Sequence, residues 1–214
     1  GQMDLLDPVE KFLPGFKNQT YITKAGLQRV QEPMVIKDLL GMTSGLVYVP
    51  GSYATREEIE HLCSIVHEYG GVYATHMRDE GERVVEAVKE SISVARNTGV
   101  RLIISHHKIT GVRFSNMLET IWRLVSEARD EGISVFLDQY PYECGASTVT
   151  TTIPYRYLDG GVPALLERMK NPAMADEIRD AVLHNDGTWQ NPLDVTGFDG
   201  MTIISAQETP EIVG

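Results

Sequence analysis

At 214 residues, 42% hydrophobic and 23% charged, the chain can form one large domain or two small ones and bury a substantial core. A formal charge of −11 with no basic stripe argues against nucleic acid as a partner, and no apolar run is long enough to span a bilayer. The N-terminal stretch GQMDLLDPVEKFLPG lacks the basic start and apolar centre of a secretory signal, and the two cysteines, Cys63 and Cys144, have no metal or redox spacing. A reducing, cytoplasmic location is expected.

In chain order, 1–40 is left unassigned. Pro8, Pro14 and Pro33 interrupt any long helix there, and 34–40 allows a short one. GLVYV, 45–49, reads as a strand ending at Pro50-Gly51. Thr55, with Glu58 three positions on, predicts a helix start. Ile59, Leu62, Cys63 and Val66 then mark one helical face, and Gly70 stops it. A strand follows over 72–76. The next helix is predicted over 80–98, with Val84, Val85, Val88, Ile92 and Ala95 inward, and Gly99 ends it before a strand over 101–106. A third helix is predicted over 116–131, capped by Ser115, with Leu118, Ile121, Trp122, Val125 and Ala128 inward. Gly132 stops it and a strand over 133–138 follows.

Repeated helix, glycine and near-apolar strand predict an α/β fold of parallel (β/α) units, with strands covered on both faces. Such units build a barrel or a doubly wound sheet. A full eight-unit barrel needs about 250 residues, and only four units are evident, so the barrel is expected to be incomplete. The units occupy 41–142. A lid-like insertion is expected over 143–200, with short helices near 162–170 and 173–184, and a returning strand within 201–214.

The chemistry-bearing residues gather at the strand ends. His76 closes GVYATH and His106 closes RLIISH, at matching places in successive units. Rigid strand tips carrying two neutral imidazoles suit a metal site. Asp138 ends the next strand and reads as a ligand or as a brace for a histidine. His107 is expected to point away, as an outer partner or a structural group. Lys108 follows the same tip and can bind a carboxylate, polarise a carbonyl or act as a Schiff-base amine. Tyr140 reaches the same rim. Arg78, Asp79 and Glu80 read as structural, with Asp79 as a helix cap. No phosphate-binding glycine loop, GxSxG or HExxH occurs.

The segments GLVYVPGSYAT, GGVYATHMRDEGERVVEAVKESISVARNTGVRLIISHHKITG and LDQYPYECGAST closely resemble the N-acyl-D-amino-acid deacylases (D-aminoacylases) of the amidohydrolase superfamily. The resemblance covers about 40–150, with HMRDEG and SHHK as its most specific motifs. It implies a TIM-like metal-dependent hydrolase barrel that uses zinc to hydrolyse the amide of a small N-acyl-D-amino acid. By matching motifs, His76 and His106 are implied as zinc ligands, and Lys108, Tyr140 and Ser147 as contacts to the substrate carboxylate. The excursion after Tyr142 corresponds to an active-site lid.

The chain also departs from the family's pattern. No His-x-His pair occurs, neither Cys63 nor Cys144 fits the family's cysteine ligand, and its catalytic aspartate falls beyond Gly214. A fragment of a deacylase barrel is therefore expected, poorly active or inactive by itself, with no catalytic acid–base residue assigned within it. The alternatives are another amidohydrolase such as a cyclic amidase, a Schiff-base aldolase or lyase using Lys108, and a non-catalytic half-barrel.

Overall fold

The computed structural model describes residues 41–206, together with Pro8, Lys11 and the backbone of two short antiparallel strands, β1 (Thr20–Thr23) and β2 (Gly26–Arg29). The helix expected over 34–40 lies outside the described residues.

β3 (Gly41–Gly45), β4 (Val72–His76), β5 (Arg101–Ile104) and β6 (Val135–Leu137) form one sheet in that spatial order, and every neighbouring pair is parallel. They are linked by α1 (Arg56–Glu68), α2 (Val84–Thr98) and α3 (Leu118–Asp130). The parallel α/β class and the sequential strand order agree with the repeated pattern in the sequence. Gly70, Gly99 and Gly132 take φ of 68°, 76° and 86°, the left-handed conformation in which a helix ends at least cost in glycine.

One core joins the sheet to the helices. Tyr73, Leu102, Ile104 and Val135 from the strands meet Ile59, Cys63, Val88, Ile92, Ile121 and Val125 from the helices, all buried. Burial pushes the Cys63 thiol up to about 12, so it packs as an inert apolar group. Alternation along the strands sends Thr43, Ala74, Ile103 and Phe136 to the opposite face, where they lie side by side in register. Phe136 is 55% exposed there. Coverage on both faces was expected, but among the described residues the helices cover one.

Several predicted bounds shift, each for a local reason. The first strand is GMTSG, 41–45, and the apolar GLVYV beyond its last residue is a turn. The Tyr48 N–H donates to the Gly45 carbonyl at 3.0 Å, and the Ser52 N–H to that of Tyr48 at 2.7 Å. What the small polar strand lacks in hydrophobicity it recovers in pairing. Ser44 Oγ lies 2.8 Å from both the Tyr73 hydroxyl and Thr75 Oγ1 on β4.

Thr55 caps α1 as predicted, accepting from the Glu58 N–H at 3.2 Å. α2 begins at residue 84 rather than 80, because Asp79 Oδ1 takes the N–H groups of Gly81 (2.8 Å) and Arg83 (3.1 Å) into a turn. α3 begins at 118, behind a 3₁₀ segment (Val112–Met117), and Ser115 does not cap it. Leu62, Leu118 and Trp122, expected inward, are exposed at the margins of their helical faces.

Beyond the sheet, α4 (Gly161–Met169) and α5 (Pro172–Leu183) match the two helices expected, and a short α6 (Leu193–Thr196) follows. Tyr157, Leu158, Leu165 and Ile178 make a small second core, against which Val49 of the β3–α1 connection packs. That connection is also tied by polar contacts: the Tyr53 hydroxyl donates to Asp159 at 2.8 Å, and the Tyr155 hydroxyl to the Val47 carbonyl at 3.0 Å. The strand expected from residue 201 on does not form over 201–206.

Candidate metal centre

His76 is the last residue of β4, on the face turned away from the helices. His106 sits just past β5 in a left-handed conformation, φ 39°, which is costly outside glycine and is held only where neighbours over-determine it. Asp138, just past β6, supplies that hold. Its carboxylate accepts the His106 N–H at 2.6 Å, and its carbonyl accepts the His107 N–H at 2.8 Å. Asp138 thus braces the backbone of the β5 tip, and through it the direction of the His106 ring.

The two imidazoles meet, with ring centroids 4.4 Å apart and His76 Nδ1 in direct contact with His106 Nε2. On the far side of the His106 ring, Nδ1 lies 2.8 Å from Glu80 Oε1. The other Glu80 oxygen pairs with Lys108 Nζ at 2.6 Å. Lys108 Nζ lies 5.5 Å from the centre of the Tyr140 ring, which is itself 6.4 Å from that of His106. Tyr48 approaches His76 edge-on at 6.0 Å. Four of the expected site residues, His76, His106, Lys108 and Tyr140, therefore share one rim. Ser147 is exposed, and among the described residues its side chain joins none of these contacts.

Glu80 and Tyr48 are the members that sequence reasoning missed. Glu80 was read as part of a helix start, and Tyr48 as part of a strand. Arg78 is structural, as expected: it donates to the Ser52 and Ala54 carbonyls at 2.8 and 3.0 Å and pairs with Glu90 at 3.0 Å.

Burial first, and then the neighbouring His106 and Lys108, hold His76 below the ordinary imidazole range, with Glu80 and Asp138 opposing. A neutral imidazole is the form that offers a lone pair to a metal. The donor chemistry at this rim thus fits zinc, but it stops at two imidazoles. Among the described residues no group of three His, Cys, Asp or Glu is placed to hold a metal ion.

His107 is buried, and neither of its ring nitrogens has a hydrogen-bond partner. Burial, the largest influence, keeps its pKa low, with Glu80 opposing. A group whose folded pKa lies below its unfolded value, about 6.5 for histidine, contributes stability above that pH and loses it as pH falls. We expect the urea midpoint of the chelator-treated protein to drop between pH 7.5 and pH 5. The drop should be shallower in His107→Leu, by no more than about 1.4 kcal/mol per pH unit. Equal slopes would show that His107 protonates alike in both states.

A strand-tip rim of this kind on parallel (β/α) units is the usual place of an active site. No family model matches the chain. It is 36% identical over 124 residues to a D-aminoacylase of Alcaligenes xylosoxydans xylosoxydans, covering 58% of this chain and 25% of that protein. It is 30% identical over 185 residues to an N-acyl-D-glutamate deacylase of the same organism, covering 84% of this chain and 33% of that protein. Among solved structures, the N-acyl-D-glutamate deacylase of Bordetella bronchiseptica, complexed with zinc and a phosphonate mimic of the tetrahedral intermediate, aligns with a TM-score of 0.47. That match has 33% identity and covers 48% of this chain and 22% of that one. The sequence relatives bear out the resemblance read from the motifs: the similarity is to N-acyl-D-amino-acid deacylases. The chain spans a third or less of the length of these curated relatives.

Proposed function

We propose that this chain carries part of the active site of a zinc-dependent N-acyl-D-amino-acid deacylase. The observation that supports it most is the placement of His76 Nδ1 against His106 Nε2 at the tips of adjacent parallel strands. The chemistry that zinc supplies in such a place is Lewis acidity, toward the amide carbonyl and toward water. A catalytic zinc normally takes three protein ligands, and we place the remaining donor outside the described residues.

His76 and His106 present their ring nitrogens to the shared site. Lys108 and Tyr140 stand beside them and receive the substrate carboxylate, which fixes the stereocentre relative to the scissile amide. Ser147 joins them in this reading when the excursion after Tyr142 closes as a lid over the small-molecule substrate. Proton transfer is assigned to none of the described residues. Lys108 is held in an ion pair with Glu80 rather than as a bare amine in an apolar pocket, which favours carboxylate binding over Schiff-base chemistry. Cys63 and Cys144 are both unpaired, which supports a reducing, cytoplasmic setting. No helix among the described residues is long and apolar enough to cross a membrane.

The test is hydrolysis of paired N-acetyl-D- and N-acetyl-L-amino acids by the intact protein, before and after chelation. Release of the D-amino acid alone, lost with chelator and restored by zinc, is expected. Turnover of both enantiomers, or turnover indifferent to chelator, would remove the proposal.

A further inference from the structure

The Glu80 carboxylate touches both His106 and Lys108 at this rim. One oxygen reaches His106 Nδ1 at 2.8 Å and the other Lys108 Nζ at 2.6 Å. Both are ion-pair contacts, in which the carboxylate sets its negative charge against the edge of the His106 ring and against the Lys108 ammonium. The other ring nitrogen of His106, Nε2, is the one that faces His76. Lys108 Nζ lies within hydrogen-bond reach of His106 Nδ1 as well, at 3.2 Å. Glu80, His106 and Lys108 thus form one interlocked group.

The carboxylate is held as well as placed. Glu80 is largely buried, its side chain only 12% exposed. Its own N–H donates to Gln190 Oε1 at 2.9 Å, and its carbonyl accepts the Thr110 N–H at 2.6 Å. The Asp79 turn that delays the start of α2 leaves Glu80 in this loop instead of on a helix.

We propose that Glu80 is the positioning residue of this site: its carboxylate holds the His106 ring for the metal and sets Lys108 at the distance from it at which a substrate carboxylate is received. The inference rests on the reading of His76 and His106 as metal ligands. It adds an outer partner of the carboxylate–histidine–metal kind, whose loss costs about 10–100-fold in metal affinity or activity.

The test is zinc affinity, measured on the intact protein by competition with a chromophoric chelator. Glu80→Ala is expected to weaken binding by about 10–100-fold. Glu80→Gln should fall between it and wild type, because the amide keeps the size and reach of the side chain but loses the charge that pairs with His106 and Lys108. Because Glu80 acts through His106, the double variant Glu80→Ala/His106→Ala should bind no more weakly than His106→Ala alone, a coupling that general loosening of the fold would not give. Wild-type affinity in Glu80→Ala, or additive losses in the double variant, would overturn the role of Glu80 while leaving the ligands in place. Should Glu80→Ala fail to fold, wild-type affinity in Glu80→Gln would overturn it equally. Zinc binding unaffected by His76→Ala and His106→Ala would instead remove the metal reading, and this inference with it.

Discussion

Replacing either His76 or His106 by alanine is expected to remove tight zinc binding from the intact protein, and deacylation with it. Each imidazole supplies a donor nitrogen directly, so the loss should exceed the roughly 10–100-fold that removal of an outer partner costs. The fold should survive both changes. Neither ring belongs to the buried core beneath the sheet, and the strand tip is held by backbone bonds, among them Asp138 to the N–H groups of His106 and His107. Zinc titration and a urea melt of each variant separate the two effects. A variant that folds normally and keeps wild-type zinc affinity would take that residue out of the metal site.

Lys108→Ala carries the second large effect, and it falls on one substrate group. A hydrogen bond to a charged group contributes about 1.5–3 kcal/mol, which is roughly 10–100-fold in binding. That loss should appear in KM for free N-acyl-D-amino acids and be nearly absent for their carboxamides, which carry no anion. The Glu80 carboxylate, left without its cation, should add repulsion against the same anion. Equal losses for acids and carboxamides would show that Lys108 supports the fold or the histidines rather than the carboxylate.

The features readable in advance were those set by local chemistry. The glycines at 70, 99 and 132 end helices because only their left-handed φ allows the turn. β4 was readable over its whole length, since Tyr73 and Thr75 are buried against the helices while Val72, Ala74 and His76 face the other way. That the histidines of successive tips meet follows from parallel, sequential pairing, which the repeated unit implied.

What escaped was decided by contacts far apart in sequence. GMTSG has no strand signature of its own and forms β3 because the edge of β4 offers it a register from Val72 to His76. GLVYV has the composition of a strand but folds as a turn, and part of it turns outward to the second core, where Val49 packs. A helix expected from residue 80 on hides Glu80 in its first turn, whereas α2 begins at Val84. The true surroundings of Glu80 include Gln190, 110 positions away. The exposed face of the sheet was equally invisible, because apolar strands read alike whether one face or both are covered.

In the proposed site His76 and His106 share a zinc ion. Diffraction from zinc-loaded crystals of the intact protein, with anomalous differences measured across the zinc absorption edge, tests it most directly. One anomalous peak is expected between the two rings, within bonding reach, about 2.0–2.1 Å, of His76 Nδ1 and His106 Nε2. Zinc bound elsewhere with these two nitrogens unligated would contradict it.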